Sequence, residues 1–252
     1  MNNFTFLSDT VTQILFNDFS IRLPYANQKP EHEVIGDFIG GIYRTPMEHH
    51  LVIHFSPFYF CFRKPLEQFC IFFEDFIAAI THRQSNGGGP VFINLLDDVN
   101  QYVSHSEFLC MKKALFSFNE KLCDLGANYE NIFILSNQDI FAKYALNDVL
   151  SYENYDILGM PYNVSLASEV ANSYYHSISG IYTIKKKVLV VDADNTLWQG
   201  VIGEDGVEGV KIGGEYPGSI FADFQRQLLR YKQAGLLLCL CTKNNSADIE
   251  DA

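Results

Sequence analysis

Short runs of apolar residues recur along the first three quarters of the chain. FTFL, HHLVIHF, PVFINLL and NIFILS each have the length and composition of a buried strand. The segments between them, such as LEQFCIFFEDFIAAITHR, carry apolar residues at helical spacing. Strands that alternate with helices predict an α/β fold in which a parallel sheet is covered on both faces. The helical pattern SLASEVANSYYHSISGIY closes this part of the chain.

The pattern changes near Lys185, which predicts two domains, residues 1–185 and 186–252. The second opens with an apolar run, VLVV, which predicts a buried strand and breaks into DADNT. SIFADFQRQLLRYKQAG then has helical spacing and a terminal glycine, and LLLCLCTKNN predicts another buried strand that ends in polar residues. Such a small sheet cannot bury its own faces, so we expect it to need further strands, another chain or the first domain as cover.

Composition narrows the classes of protein. The 252 residues are 48% hydrophobic, enough for a real core, and the net charge of -12 disfavours nucleic acid and anionic membranes as partners. The N-terminus lacks the pattern of a signal peptide, so a cytoplasmic location is expected. The six cysteines lack metal-ligand spacing and are expected to be reduced and mostly buried. Because 31 of the 35 Phe and Tyr residues precede position 186, we expect an aromatic-rich core in the first domain, with an aromatic contact surface as the alternative.

Polar residues follow both strands of the second domain. Ligands collect beyond the carboxyl ends of parallel strands, so Asp192, Asp194 and Thr242 are expected to share one crevice. Two carboxylates at this spacing can hold Mg²⁺, with the second contributing its backbone carbonyl or acting as an acid/base group. One aspartate could then attack phosphorus and form an acyl phosphate. The alternative is that the aspartates are solvated turn or cap residues and that Thr242 caps the next turn.

DADNT resembles the first motif of the haloacid dehalogenase superfamily of phosphotransferases, and LLLCLCTKNN resembles its second. The resemblance implies that Asp192 is the nucleophile, that Asp194 is the general acid/base, and that both contribute to a Mg²⁺ site. It also implies that Thr242 grips the transferring phosphoryl group, and Asn195 and Lys243 are further phosphate-binding candidates. The following Trp198 and the glycines of GVIGEDG are expected to form a turn and a hairpin over the site.

DADNTLWQGVIGEDGVEGVKI is similar to a segment of FkbH-like proteins, in subfamily IIIC of that superfamily. Those proteins join an N-terminal domain of the SGNH-hydrolase type, which is flavodoxin-like and three-layered, to a Rossmann-like haloacid dehalogenase domain. The resemblance implies that 1,3-bisphosphoglycerate is dephosphorylated and that a glyceryl unit is loaded onto an acyl carrier protein in polyketide or related biosynthesis. It covers roughly residues 186–245, whereas the first domain resembles the family only in organisation.

The sequence also departs from these families. Val188 occupies a position at which FkbH-like proteins commonly carry cysteine. The superfamily's third and fourth motifs are expected beyond Ala252, so the chain by itself is expected to be inactive. In the first domain, Ser8 and Thr10 lie where SGNH hydrolases place a Gly-Asp-Ser nucleophile turn, and helix capping is the alternative role for them.

Two other functions fit the sequence. The first domain could be a binding module that docks a carrier protein or substrate without catalysis, although its net charge of -9 opposes steering toward an acidic carrier. The chain could instead belong to a general Mg²⁺-dependent phosphatase that acts on another small phosphorylated metabolite.

Overall fold

The computed structural model describes residues 4–9, 31–34, 37–59, 65–97, 104–182 and 186–244. Contacts divide the chain into two compact units, Met1–Tyr182 and Thr183–Ala252. The domain boundary predicted after residue 185 stays a prediction.

Strands and helices alternate through the first unit. Its elements are β1 (Phe4–Ser8), β2 (Glu31–Val34), α1 (Phe38–Arg44), β3 (His50–His54), α2 (Leu66–Ser85), β4 (Val91–Asn94), α3 (His105–Asn128), β5 (Ile132–Leu135), α4 (Gln138–Phe141), α5 (Leu146–Val149), α6 (Tyr152–Leu158) and α7 (Val164–Tyr182). The second unit contains β6 (Val188–Val191), α8 (Ile202–Asp205), α9 (Gly218–Gln233) and β7 (Leu237–Leu240).

The five strands of the first unit form one parallel sheet in the order β2-β1-β3-β4-β5. This is the flavodoxin-like order, in which the chain reverses its direction of winding between β1 and β3. The predicted α/β class with a parallel sheet is therefore confirmed. Four of the strands coincide with the predicted apolar runs, whereas β2 was missed because its sequence, EHEV, is charged and lies at the sheet edge.

Both faces of this sheet are covered, and alternate side chains of β1, β3, β4 and β5 enter opposite cores. Leu51 and Ile53 of β3 pack with the apolar side chains of α1, α2 and α3. Val52, between them, packs on the other face with α7. The period of two in a strand sends neighbouring residues to opposite faces, so a strand that lies between two cores is apolar at consecutive positions, as Leu51, Val52 and Ile53 are.

Aromatic rings fill much of the core that faces α2 and α3. Phe73 and Phe118 stack with a centroid separation of 3.8 Å, and Phe76 is fully buried beside them. The expected aromatic core is therefore observed, although Phe116, two residues before Phe118 and on another face of α3, is 66% exposed.

A buried arginine ties α2 to the segment between α1 and β3. The guanidinium of Arg83 donates hydrogen bonds to the backbone carbonyl oxygens of Thr45, Pro46, Met47 and His49, at 2.7 to 3.2 Å. Backbone carbonyl groups inside a protein need donors, and this one side chain supplies them to a segment without regular structure.

The structure corrects two expectations about burial. Val188 and Val190 of β6 are 48% and 59% exposed, and Leu237 of β7 is 64% exposed, so these strands are not buried as predicted. The physical reason is the one anticipated for so small a sheet: α9 can cover only one face of β6 and β7, and the alternate apolar side chains are left in contact with water. The five described cysteines are exposed as well, because they lie on outward positions of α2, α3 and β7 or just after it.

Within the part of the chain that the structure describes, no helix combines the length and the apolar character needed to cross a membrane.

Candidate active site

The two polar segments of the second unit leave neighbouring strands at the same edge. β6 and β7 pair in parallel, with Val191 opposite Leu240, and the backbone N–H of Cys241 donates to the Val191 oxygen at 2.9 Å. Asp192 and Thr242 therefore follow the ends of adjacent strands, as the crevice rule for parallel sheets requires.

The chain turns sharply after Asp192. The oxygen of the buried Ala193 accepts hydrogen bonds from the backbone N–H groups of Thr196 and Leu197, at 3.1 and 2.8 Å. Asn195 adopts a left-handed conformation, with φ of 53°, and its Oδ1 accepts a hydrogen bond from the N–H of Gly200 at 3.0 Å. Asn195, a predicted phosphate-binding residue, thus braces this turn through its side-chain oxygen.

Asp192 is exposed, and one of its carboxylate oxygens is uncommitted. Oδ1 accepts a hydrogen bond from the backbone N–H of Ala193 at 2.8 Å. No described residue donates a hydrogen bond to Oδ2. One oxygen is therefore held in place while the other is accessible, which is the geometry that a nucleophile or a metal ligand needs.

Asp194 is half-buried and fully engaged. Its Oδ1 accepts hydrogen bonds from Trp198 Nε1 and from the backbone N–H of Ile202, both at 3.1 Å, and its Oδ2 accepts one from Asn244 Nδ2 at 2.7 Å. The Asn244 hydrogen bond is the main cause that lowers the pKa of Asp194 below its usual value. The carboxylate is held ionised, and it joins the segments that follow β6 and β7.

The segment after β7 contributes further polar groups. The half-buried Thr242 accepts a hydrogen bond at Oγ1 from the backbone N–H of Asn244, at 3.3 Å, and Lys243 is exposed between them. The roles predicted for Thr242 and Lys243 in phosphate binding stay predictions.

Sequence reasoning missed Asn244 and the backbone N–H of Ile202, and it gave Trp198 only a shaping role. Asn244 lies two residues after Thr242, and its polar amide in a strand-end segment was the available signal. The predicted GEDG hairpin is also corrected, because Ile202–Asp205 forms one helical turn. That turn points its first backbone N–H at the Asp194 carboxylate, a use of helix N-termini that favours a negative charge.

The described residues contain no group of three or more His, Cys, Asp or Glu side chains that could hold a metal ion. Because both Asp194 oxygens accept hydrogen bonds, Asp192 is the side chain of the pair that is available as a ligand. This donor set fits Mg²⁺, which is commonly held by one or two carboxylates, with water and substrate phosphate completing its octahedron. It would not suit a metal that needs a full cage of protein ligands.

The first unit has its own polar groups at the carboxyl edge of the sheet. Ser8, predicted as a candidate nucleophile, ends β1 and is fully buried, and Thr10 lies outside the described residues. Asp9, which sequence reasoning passed over, accepts hydrogen bonds from the backbone N–H and the hydroxyl of Ser56, at 2.7 and 2.6 Å. Burial raises the pKa of Asp9 to about 6. These hydrogen bonds join the residues that follow β1 and β3. Ser56 is fully buried, so the pair is closed to solvent on that side.

One solved structure that resembles this chain is the N-terminal part of the protein BF1531 from Bacteroides fragilis, which contains a phosphatase domain complexed with Mg. The match has a TM-score of 0.81 at 22% sequence identity and covers 98% of this chain and 70% of that one. The two chains share a fold. No protein-family model and no curated protein matches the sequence.

Proposed function

We propose that this chain carries the nucleophile end of a Mg²⁺-dependent phosphatase of the haloacid dehalogenase type. The observation that carries the proposal is the pairing of two aspartates in one turn: Asp192 presents a free carboxylate oxygen, while Asp194 is fixed by donors from both strand-end segments. The fold shared with a phosphatase-containing protein that binds Mg supports the same class of reaction.

The chemistry proceeds through the free oxygen. Oδ2 of Asp192 attacks phosphorus, the bond from phosphorus to the leaving oxygen breaks, and an aspartyl phosphate forms. Water then attacks that phosphorus, which releases inorganic phosphate and restores the carboxylate. Mg²⁺, held by Asp192, would neutralise charge on the phosphoryl oxygens. Thr242 and Lys243 are proposed to contact those oxygens, with Asn195 shaping the turn beside them.

Asp194 is proposed as the acid/base residue. Its pKa is held low by the Asn244 hydrogen bond, so the ionised carboxylate can accept the proton of the attacking water. The same three hydrogen bonds keep the turn that carries Asp192 in position, so Asp194 serves chemistry and geometry together.

The finer proposal follows from the DADNTLWQGVIGEDG segment. Its similarity to FkbH-like proteins supports 1,3-bisphosphoglycerate as the substrate and an acyl carrier protein as the acceptor of a glyceryl unit. A cysteine thiolate would be the natural acyl carrier within the protein. Cys239 and Cys241 are both exposed, the first within β7 and the second just past its end, and they are the thiols nearest to Thr242 in sequence.

The test uses the complete gene product and residues 1–252 in parallel. Each is incubated with Mg²⁺ and with 1,3-bisphosphoglycerate, acetyl phosphate or 3-phosphoglycerate, and released phosphate is measured. Asp192→Asn should abolish release, because the amide is a poor nucleophile, and the phosphoryl adduct of the unmodified protein should map to Asp192 by mass spectrometry. Unchanged release by Asp192→Asn would rule out the proposed nucleophile.

Asp223→Asn is the matched control. Asp223 is an exposed acid on α9 that pairs with Arg226, so the same substitution there should leave phosphate release unchanged. Transfer is tested separately with a labelled three-carbon substrate and a carrier protein. Phosphate release without carrier loading would support the phosphatase and remove the transferase.

A further inference from the structure

The two carboxylate oxygens of Asp194 differ in the hydrogen bonds that they accept. Oδ1 accepts two, from Trp198 Nε1 and from the backbone N–H of Ile202, both at 3.1 Å. Oδ2 accepts one, from Asn244 Nδ2 at 2.7 Å. A carboxylate oxygen has room for about two hydrogen bonds, so the described donors fill Oδ1 and leave capacity for one more on Oδ2. Oδ2 is therefore the atom of Asp194 that can take a proton from water.

The donors to the two oxygens also differ in origin. Trp198 and Ile202 lie in the same turn segment as Asp194, and both are buried in the small apolar cluster of the second unit. Asn244 is 50 residues away in sequence and follows β7. The last side-chain torsion of an aspartate is soft, so donors to Oδ1 alone would leave the carboxylate free to rotate. The Asn244 amide therefore sets the direction of Oδ2.

Asn244 also contacts Thr242, through its backbone. Its N–H donates to Thr242 Oγ1 at 3.3 Å, and both residues are half-buried. A hydroxyl that accepts a hydrogen bond at its oxygen keeps its own hydrogen for another acceptor, so Thr242 can still donate to a phosphoryl oxygen. A substitution of the Asn244 side chain leaves this backbone hydrogen bond in place.

We propose that Asn244 is a positioning residue for the second half of the reaction, in which water hydrolyses the aspartyl phosphate. Its side-chain amide holds Oδ2 of Asp194 toward the attacking water. The water oxygen bonds to phosphorus, the bond between phosphorus and Asp192 breaks with its electron pair returning to the Asp192 carboxylate, and the water proton passes to Oδ2 of Asp194. This role rests on the proposed function and adds to it the atom that accepts the proton.

Acetyl phosphate separates the two halves of the reaction. Its leaving group is acetate, and a carboxylate is stable near neutral pH without a proton. Formation of the aspartyl phosphate from this substrate therefore needs no proton from Asp194, whereas hydrolysis needs a proton acceptor. Loss of orientation by about 1 Å can slow a catalysed step roughly 100-fold. A change at the Asn244 side chain should thus slow hydrolysis and spare phosphoryl transfer to Asp192.

The test follows both steps by rapid quench, with the complete gene product, Mg²⁺ and radiolabelled acetyl phosphate. Asn244→Leu keeps the size of the side chain and removes its donor, so hydrolysis of the phosphoenzyme should slow about tenfold to 100-fold at an unchanged rate of formation. Asn244→Gln keeps an amide donor and should recover part of the lost rate. Gln233→Ala removes an exposed amide at the end of α9 and is the control that should change neither step.

A second measurement needs neither metal nor substrate. The single tryptophan of residues 1–252 donates its indole N–H to Asp194, so its NMR resonance reports the position of that carboxylate. The resonance should shift in Asn244→Leu and stay in place in Gln233→Ala. An unmoved resonance in Asn244→Leu would show that the carboxylate is held without the amide, which overturns the positioning role.

The kinetic outcomes separate this role from the proposed function. Normal hydrolysis by Asn244→Leu, beside a phosphoenzyme on the unmodified protein, overturns the role and leaves the phosphatase standing. Loss of phosphoenzyme formation in Asn244→Leu and Asn244→Gln alike would show that Asn244 acts before hydrolysis, and it also overturns the assigned step. Absence of a phosphoenzyme on the unmodified protein contradicts the phosphatase itself, and the role of Asn244 falls with it.

Discussion

His54 offers a direct test of how burial of a titratable side chain affects the stability of this protein. It ends β3 and is fully buried, with Nδ1 2.6 Å from the Tyr174 hydroxyl and Nε2 2.7 Å from the Tyr162 hydroxyl. A neutral imidazole has one N–H and one lone pair, so one tyrosine donates to the ring and the other accepts from it. Burial lowers the pKa of His54 from 6.5 to about 3, because a charged ring would lose its hydration.

The sign and the size of the pH effect follow from that shift. The unfolded chain takes up a proton on this histidine near pH 6.5, whereas the folded chain does so only near pH 3. Folding is therefore disfavoured progressively as the pH falls below 6.5, by about 1.4 kcal/mol for each pH unit. At pH 4, roughly 3 kcal/mol of folding free energy should be lost through this one side chain.

Two partly buried carboxyls act in the opposite direction. Burial raises the pKa of Asp9 to about 6 and that of Asp97 to about 7. Their cost to stability is absent below the unfolded pKa of 3.8, grows as the pH rises from there to the folded values and is complete above them, so acidification relieves it. The pH profile of the unmodified protein is a sum of these effects, and only a comparison of variants separates His54 from them.

The assay compares the unmodified protein with His54→Gln by hydrogen exchange at about pH 7 and pH 4. Exchange of β3 amides, corrected for intrinsic rates, reports the unfolding free energy of the first unit without assuming that the two units unfold together. The variant should be less stable than the unmodified protein at pH 7, and the difference should shrink by roughly 3 kcal/mol at pH 4. His82→Gln, at an exposed position of α2, should follow the unmodified protein at both pH values. Parallel free energies for unmodified and His54→Gln proteins would refute the reasoning.

Three further substitutions test packing and turns. Arg83→Ala leaves the carbonyl oxygens that it binds without donors and should lower the unfolding free energy by about 3 kcal/mol or more, measured by urea unfolding with circular dichroism; a loss near zero would mean that water replaces it. Phe118→Ala removes the ring stacked on Phe73 and should cost about 3 to 5 kcal/mol in the same assay, with exposed Phe116→Ala as the control. Gly200→Ala puts an alanine at a φ of 111° and its Cβ 2.8 Å from Asp205 Oδ2, so the free energy of unfolding of the second unit should fall by about 1 to 3 kcal/mol. The fluorescence of the single tryptophan measures this unfolding, and unchanged stability would show that the turn relaxes.

The fold of the first unit is largely readable from the sequence, because a strand buried on both faces is mostly apolar, without the alternation of a strand that has one face in water. The runs that became β1, β3, β4 and β5 meet that condition, and the long helices show an unbroken helical period. β2 does not meet it. An edge strand is held by backbone hydrogen bonds to one neighbour, so a charged sequence such as EHEV can take part without an apolar signal.

The same condition misled the prediction for the second unit. VLVV and LLCL are as apolar as the buried strands, yet Val190 and Leu237 are more than half exposed. Burial depends on which elements pack on a strand. An apolar sequence indicates only that the strand would gain free energy if another element packed on it.

For the two aspartates, the sequence predicts their position in the fold but not their hydrogen-bond partners. The string DADNT and the order strand, turn, helix, strand predicted that Asp192 and Asp194 share one crevice with Thr242, since residues at the ends of adjacent parallel strands lie at the same edge of the sheet. The resemblance implied that Asp192 is the nucleophile and Asp194 the acid/base residue, but it did not indicate their hydrogen-bond partners. Only the structure shows that Asp194 accepts hydrogen bonds from three donors, one of them Asn244, while Asp192 keeps a free oxygen.

The sequence by itself determined the α/β class, the two-part pattern and the strand-end position of the aspartates, because each depends on local periodicity or on short motifs. Tertiary structure decided which polar groups meet, as with Asp9 and Ser56, or His54 and two tyrosines more than a hundred residues away. Hydrogen bonding and desolvation depend on distances in space. Those distances cannot be read from the sequence, because they depend on the order of the strands in the sheet.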